Sequence, residues 1–136
     1  MNSKLLLAGI VIVVLVAIGS LQLANITGYI PSVGGSQQVL VVIDDGSKAS
    51  TYNVVLNQRE TAFDALKRVA IPDYDMREPS VFITEINGVK QDQDHRWIYF
   101  INDKMSQVGC DFYYPVSGDV IKFKYMTNEE IGKVLS

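Results

Sequence analysis

The residue types best suited to chemistry stand at Asp92-Gln93-Asp94-His95, where two carboxylates and the sole histidine of the chain fall together. Carboxylate and imidazole groups are the ligands a divalent metal takes. Side chains alternate in an extended segment, however, so Asp92 and Asp94 share one side and His95 points away. Three-point coordination would need a sharply bent loop or ligands from elsewhere, and the spacing matches no recognised metal geometry. A solvated loop is the reading. Asp44 and Asp45 are a second acidic pair, but neighbours at a strand end diverge, and beside Gly46 and Ser47 they read as turn formers. No metal and no cofactor is assigned.

Covalent chemistry has less support still. With one histidine, one cysteine, no Gly-x-Ser-x-Gly elbow and no glycine-rich phosphate loop, a nucleophile and its base have no pattern behind them. The chain reads as non-enzymatic. Cys110, being alone, excludes an intramolecular disulfide and reads as a small buried hydrophobe. A net charge of −3 with scattered basic residues argues against a nucleic-acid partner, since a phosphate backbone demands a basic face.

The aromatic residues are the remaining candidates. Phe112, Tyr113 and Tyr114 lie in a glycine-flanked, proline-ended loop at 109–118, which a closed sheet would bring near Trp97 and Tyr99. A small domain needs such rings for its core, yet tyrosines in loops also stack on flat ligands while their hydroxyls find polar partners. Adjacent residues of an extended segment face opposite ways, so Tyr113 is expected outward with Phe112 and Tyr114 turned in. The candidate ligand-binding set is Trp97, Tyr99, Asn102, Phe112, Tyr113 and Tyr114, centred on that loop and the turn at Asn102-Asp103.

Strands must position these groups. Residues 97–101 form an aromatic and β-branched run, suited to a strand covered on both faces, and Asn102-Asp103 tolerates the left-handed dihedrals of a tight hairpin. In 120–125 the alternation puts Ile121, Phe123 and Tyr125 on one face and Lys122 and Lys124 on the other, with Ser117-Gly118-Asp119 as the turn before it. Residues 39–43 and 51–56 flank Asp44-Asp45-Gly46-Ser47 as a hairpin. Thr61 opens a helix, Asp64 returns the cap, Phe63, Leu66 and Ala70 make its apolar stripe, and Pro72 ends it. Residues 73–79 read as charged and irregular, 81–86 as a strand stopped by Asn87-Gly88, and 90–96 as a hydrophilic loop. Thr127 and Glu130 form the capping box of a short terminal helix. The order is β-β-α-β-β-β.

This ordered set, Trp97, Tyr99, Asn102, Gly109, Tyr114, Gly118, Asp119 and Tyr125 with Ala65-Leu66-Lys67 and Ile86-Asn87-Gly88 upstream, resembles the transcobalamin C-terminal-like domains of uncharacterised surface proteins. It covers roughly residues 39–125. Those domains usually carry Asn-Gly where this chain has Asn102-Asp103. The resemblance implies an α+β, β-grasp-like fold, a mixed sheet of about five strands with one packed helix. In the vitamin carriers of that family the domain closes over cobalamin, which admits a corrinoid-like ligand. Those carriers clasp cobalamin against a large helical domain that these residues do not contain, and without a second wall a large ligand would be poorly buried.

Residues 5–24 are uncharged and almost wholly apolar, about 20 positions, enough to span ~30 Å of hydrocarbon as a helix. Lys4 and the amino terminus place the N-terminus in the cytoplasm. Ala17-Ile18-Gly19 also offers the small residues of a signal-peptidase site. The expectation is a transmembrane anchor or signal peptide (1–24), a flexible linker (25–37), the β-grasp-like domain (38–126) and a short C-terminal helix (127–136). The protein is then held at the cell membrane with its domain outside the cytoplasm, or secreted if cleaved. The function expected is a non-enzymatic module for a small ligand or partner protein. The alternative is an envelope assembly component acting through a sheet edge or the aromatic loop.

Overall fold

The computed structural model describes residues 35–136, so the proposed anchor and most of the linker lie outside the described residues. Strand β1 (Gln37–Asp44) and β2 (Ala49–Leu56) make the first hairpin, closed by the acidic turn. Asp45 Oδ1 accepts from Ser47 N–H and Lys48 N–H at 2.9 Å each, and Asp44 Oδ1 from Gly46 N–H at 3.0 Å. Both carboxylates are occupied in building the turn, the ordinary use of Asp before a glycine.

Helix α1 (Ala62–Val69) follows, with the expected box: Thr61 caps the Asp64 N–H, and the Asp64 carboxylate accepts from Thr61 N–H. Its buried residues, Ala62, Phe63, Ala65 and Leu66, pack on β1 and β2. Burying a side chain the size of Leu66 contributes about 1.5–3 kcal/mol. The helix stops at Val69, and Pro72, with its fixed φ and missing N–H, begins the next strand instead.

The residues expected to be irregular form β3 (Pro72–Arg77), antiparallel to β4 (Ser80–Ile86). Its pattern was hidden because the strand is exposed along most of its length and carries charge where a half-buried strand would alternate. Ladder bonds to β4 override that weak local signal. Asn87-Gly88 then turns the chain, with φ of 50° and 84°, into β5 (Val89–Lys90), where a loop was expected. Strand β6 (His95–Ile101), β7 (Lys104–Met105), β8 (Val120–Thr127) and α2 (Asn128–Leu135) complete the order. The Thr127–Glu130 capping box at the start of α2 is present.

The main sheet has five strands in the order β2-β1-β8-β6-β7, and a second sheet has the order β3-β4-β5. β1 runs parallel to β8 and every other pair is antiparallel, so the sheet is mixed as expected. Membership differs from expectation, for β4 belongs to the small sheet and β7 supplies the fifth place. Periodicity assigns a strand's faces but not its partner. Val41, Ile121 and Phe123 lie at 0–1% exposure beneath Leu56 and Leu66, and Val81, Ile83 and Ile86 bring the small sheet onto the same core. Alternation in β8 therefore reads as anticipated, with Lys122 on the opposite face reaching Asp103 at 2.7 Å.

Candidate functional site

Strand β6 places Trp97 and Tyr99 on the core face of the main sheet, opposite β4 of the small sheet. Between the two strands and the segment 105–110 runs a cleft of about 320 Å³. Val81, Ile83, Trp97, Tyr99, Val108 and Cys110 give it an apolar wall. Trp97 is 7% exposed, and its indole N–H donates to Val89 O at 2.8 Å, fixing the ring. The Tyr99 hydroxyl donates to Ser106 Oγ at 2.7 Å and also reaches the Val108 carbonyl, which ties the 105–110 segment across β6. Burial, with the nearby Cys110 and Asp111, pushes the Tyr99 hydroxyl up to about 12 against the Ser106 hydrogen bond. Burial likewise pushes the Cys110 thiol up to about 12, aided by Asp111, so Cys110 is an inert wall residue.

The opposite rim is held by Asp111, which accepts from the Ser80 hydroxyl and from Val81 N–H at 3.3 Å. Gly109 permits this approach, since a Cβ there would meet Ser80 Oγ at 1.7 Å. Past Trp97 and Ile98 the groove opens to a polar end at Arg77, Lys90, Asp92 and Arg96.

The six sequence candidates separate into three groups. Trp97 and Tyr99 line the cleft. Asn102 and Tyr113 are structural, both bound to the Asp119 carboxylate, at 2.9 Å from Asn102 Nδ2 and 2.7 Å from the Tyr113 hydroxyl. Phe112 and Tyr114, 53% and 56% exposed, stand on the surface away from the cleft lining. The expectation for Tyr113 is thus inverted: its ring packs against the core while its neighbours point out. The cause is Asp119, 5% exposed and needing donors, for which Tyr113 is in reach. Burial alone would raise the Asp119 carboxyl, yet hydrogen bonds from Val116 N–H, Asn102 and Tyr113 together hold it below its ordinary value.

Asn102 and Asp103 have φ of 50° and 64°, both left-handed, so the turn is of the I′ kind without the glycine usual at its second position. Asn102 is fixed there by Val120 N–H on its Oδ1 at 2.8 Å. The 92–95 loop folds on itself: Asp92 Oδ1 accepts from Asp94 N–H, His95 N–H and the His95 ring at 2.8–3.0 Å. His95 stacks on Tyr125 with centroids 4.9 Å apart. Sequence reasoning missed Val81, Ile83 and Val108 as cleft residues. Each belongs to an ordinary apolar pattern, and only the tertiary arrangement makes them neighbours.

A mixed sheet with parallel first and last strands, a helix across one face and a small sheet closing a cleft defines an α+β domain of transcobalamin-like fold. The chain belongs to the family described as Domain of unknown function (DUF4430), whose model matches residues 60–127, half of the chain and the part containing the cleft. Haptocorrin in complex with Cbi is similar in structure with a TM-score of 0.64 and 11% identity, over 71% of this chain and 26% of that one. A "putative metal binding protein" from Ruminococcus gnavus ATCC 29149 is similar with a TM-score of 0.60 and 13% identity, over 68% of this chain and 98% of that one. No match is found among curated proteins.

Proposed function

We propose that the chain is a membrane-tethered, extracytoplasmic binding module without catalytic activity, and that its ligand enters the cleft between β4 and β6. The observation that carries this reading is the meeting of Trp97, Tyr99, Val81, Ile83 and Val108 around one cleft of about 320 Å³. Concave apolar sites with a few fixed polar groups are where small ligands bind, and this volume is at the small end of that range. Haptocorrin's occurrence with Cbi supports a binding role for the fold. A cleft of about 320 Å³ suits a ligand smaller than a whole corrinoid, or part of a larger one. The uncharged segment at residues 5–24 supports the tether.

Trp97 is the only tryptophan, which makes it a built-in reporter. The full chain is titrated with the apolar anionic dye ANS, reading energy transfer from Trp97. Saturable transfer that Val108→Arg removes supports the cleft. Transfer that is absent, or indifferent to Val108→Arg, refutes it. Val108 is 49% exposed, so the variant keeps its fold.

A further inference from the structure

We infer that the cleft takes an extended polypeptide segment, added as a strand along β6, with apolar side chains at the Val81–Val108 end and an acidic group at the Lys90–Arg96 end. This rests on the cleft being the binding site.

The first observation is the hydrogen-bonding state of the cleft walls. Asn102 N–H binds Val120 O and Asn128 N–H binds Asp94 O, so the even-numbered residues of this stretch direct their peptide groups to β8. The odd-numbered ones therefore face the other way, as Ser106 N–H bonding Tyr99 O confirms. β7 pairs only with Phe100 and Ile101, which leaves the Trp97 N–H and C=O and the Tyr99 N–H without a strand partner among the described residues. Across the cleft, β4 pairs with β3 on one side; on the other, β5 covers Glu85 and Ile86, Gln91 N–H bonds Thr84 O and Asp111 takes the Val81 N–H, which leaves only a short stretch around Phe82 and Ile83 uncovered. The open stretch of β6 thus borders the apolar cleft. Unpaired backbone groups in such a place call for donors and acceptors repeating at strand spacing, and a second polypeptide backbone supplies them.

The remaining edges differ. β3 starts at Pro72, carries a bulge at Asp73/Tyr74 and displays Asp73, Asp75 and Arg77, all of which discourage pairing. On β2 the Arg68 guanidinium covers the Val55 carbonyl, and Arg68 is itself held by Glu60 at 2.6 Å. The rest of the outer edge of β2 has no strand partner among the described residues, but the β6 edge is the one that borders the apolar cleft.

Charge sets the polarity of the occupant. Arg77 is matched by Asp75 at 3.7 Å. Lys90 has no carboxylate within ion-pair distance among the described residues, and Arg96 is spent on the carbonyls of Asp92 and His95, which leave its charge intact. Asp92 is engaged by His95 at 3.0 Å. An acidic residue at that end of a bound strand meets the Lys90 ammonium, with the charge of Arg96 beside it.

The test is panning of the full chain with a displayed library of random heptapeptides, followed by Trp97 emission titrations with each enriched peptide and its copy N-methylated at alternate residues. Enriched sequences with alternating apolar residues and a terminal acid are expected, with affinity falling at least tenfold on N-methylation in one of the two alternations. Lys90→Glu should erase the preference for the acid. If no peptide is enriched, or N-methylation in both alternations is tolerated, strand addition is overturned. ANS transfer sensitive to Val108→Arg would then leave the cleft reading standing, whereas its absence would remove both.

Discussion

The Tyr113 hydroxyl donates to Asp119 Oδ2 at 2.7 Å, and this bond joins the aromatic loop to the turn that feeds the last strand. Asn102 Nδ2 and Val116 N–H donate to the same carboxylate. Tyr113→Phe keeps the ring and removes one donor to a charged acceptor, so it should lower stability by about 1.5–3 kcal/mol in denaturant melts. Asp119→Ala should cost more, because it strands three donors at once. Tyr114→Ala, at an exposed ring, should stay within about 0.5 kcal/mol of wild type.

Alkaline pH should loosen the domain. The Tyr99 and Tyr113 hydroxyls are each pushed up to about 12, Tyr113 by burial and then by the Asp119 hydrogen bond and charge. A group whose folded value is raised adds stability that is whole below its unfolded value, about 10, and is lost as pH rises through the folded one. Melting temperature should therefore fall between about pH 10 and pH 12, in step with late-titrating phenolate absorbance. Tyr99→Phe should remove part of that slope. A flat profile up to pH 12 would contradict the burial assigned to these hydroxyls.

Gly109→Ala should destabilise by about 1–3 kcal/mol, since the new methyl would overlap Ser80 Oγ and push the 105–110 wall off β4. Gly132→Ala is the control. Nothing lies within 4 Å of a Cβ at Gly132, which sits inside α2, so that change should stabilise by about 0.5–1 kcal/mol. Equal losses from both would mean the close approach at Ser80 is not tight.

Elements with a local cause were legible from the residues. The Thr61–Asp64 cap, the Asp44-Asp45-Gly46 turn and the alternation of Ile121 and Phe123 each follow from a few adjacent side chains. What was not legible depended on distant partners. β3 has little apolar pattern of its own and exists through β4, and Tyr113 turns inward because Asp119 waits there. Of the site, Trp97 and Tyr99 were recognisable as rings in a strand, but their opposite wall at Val81 and Ile83 was not. Facing residues from two sheets carry no mark of each other in sequence.

The most direct test of the cleft is amide-resolved NMR of the isotopically labelled full chain during ANS titration. The single Trp97 indole N–H, bonded to Val89 O, gives one isolated reporter signal. The account predicts that the Trp97 indole and the amides of Val81, Ile83, Tyr99 and Val108 shift together with one saturation curve, while Phe112, Tyr114 and Val116 stay still. Shifts concentrated on Phe112, Tyr114 and Val116, with a stationary Trp97 signal, would contradict it and return the site to the exposed loop.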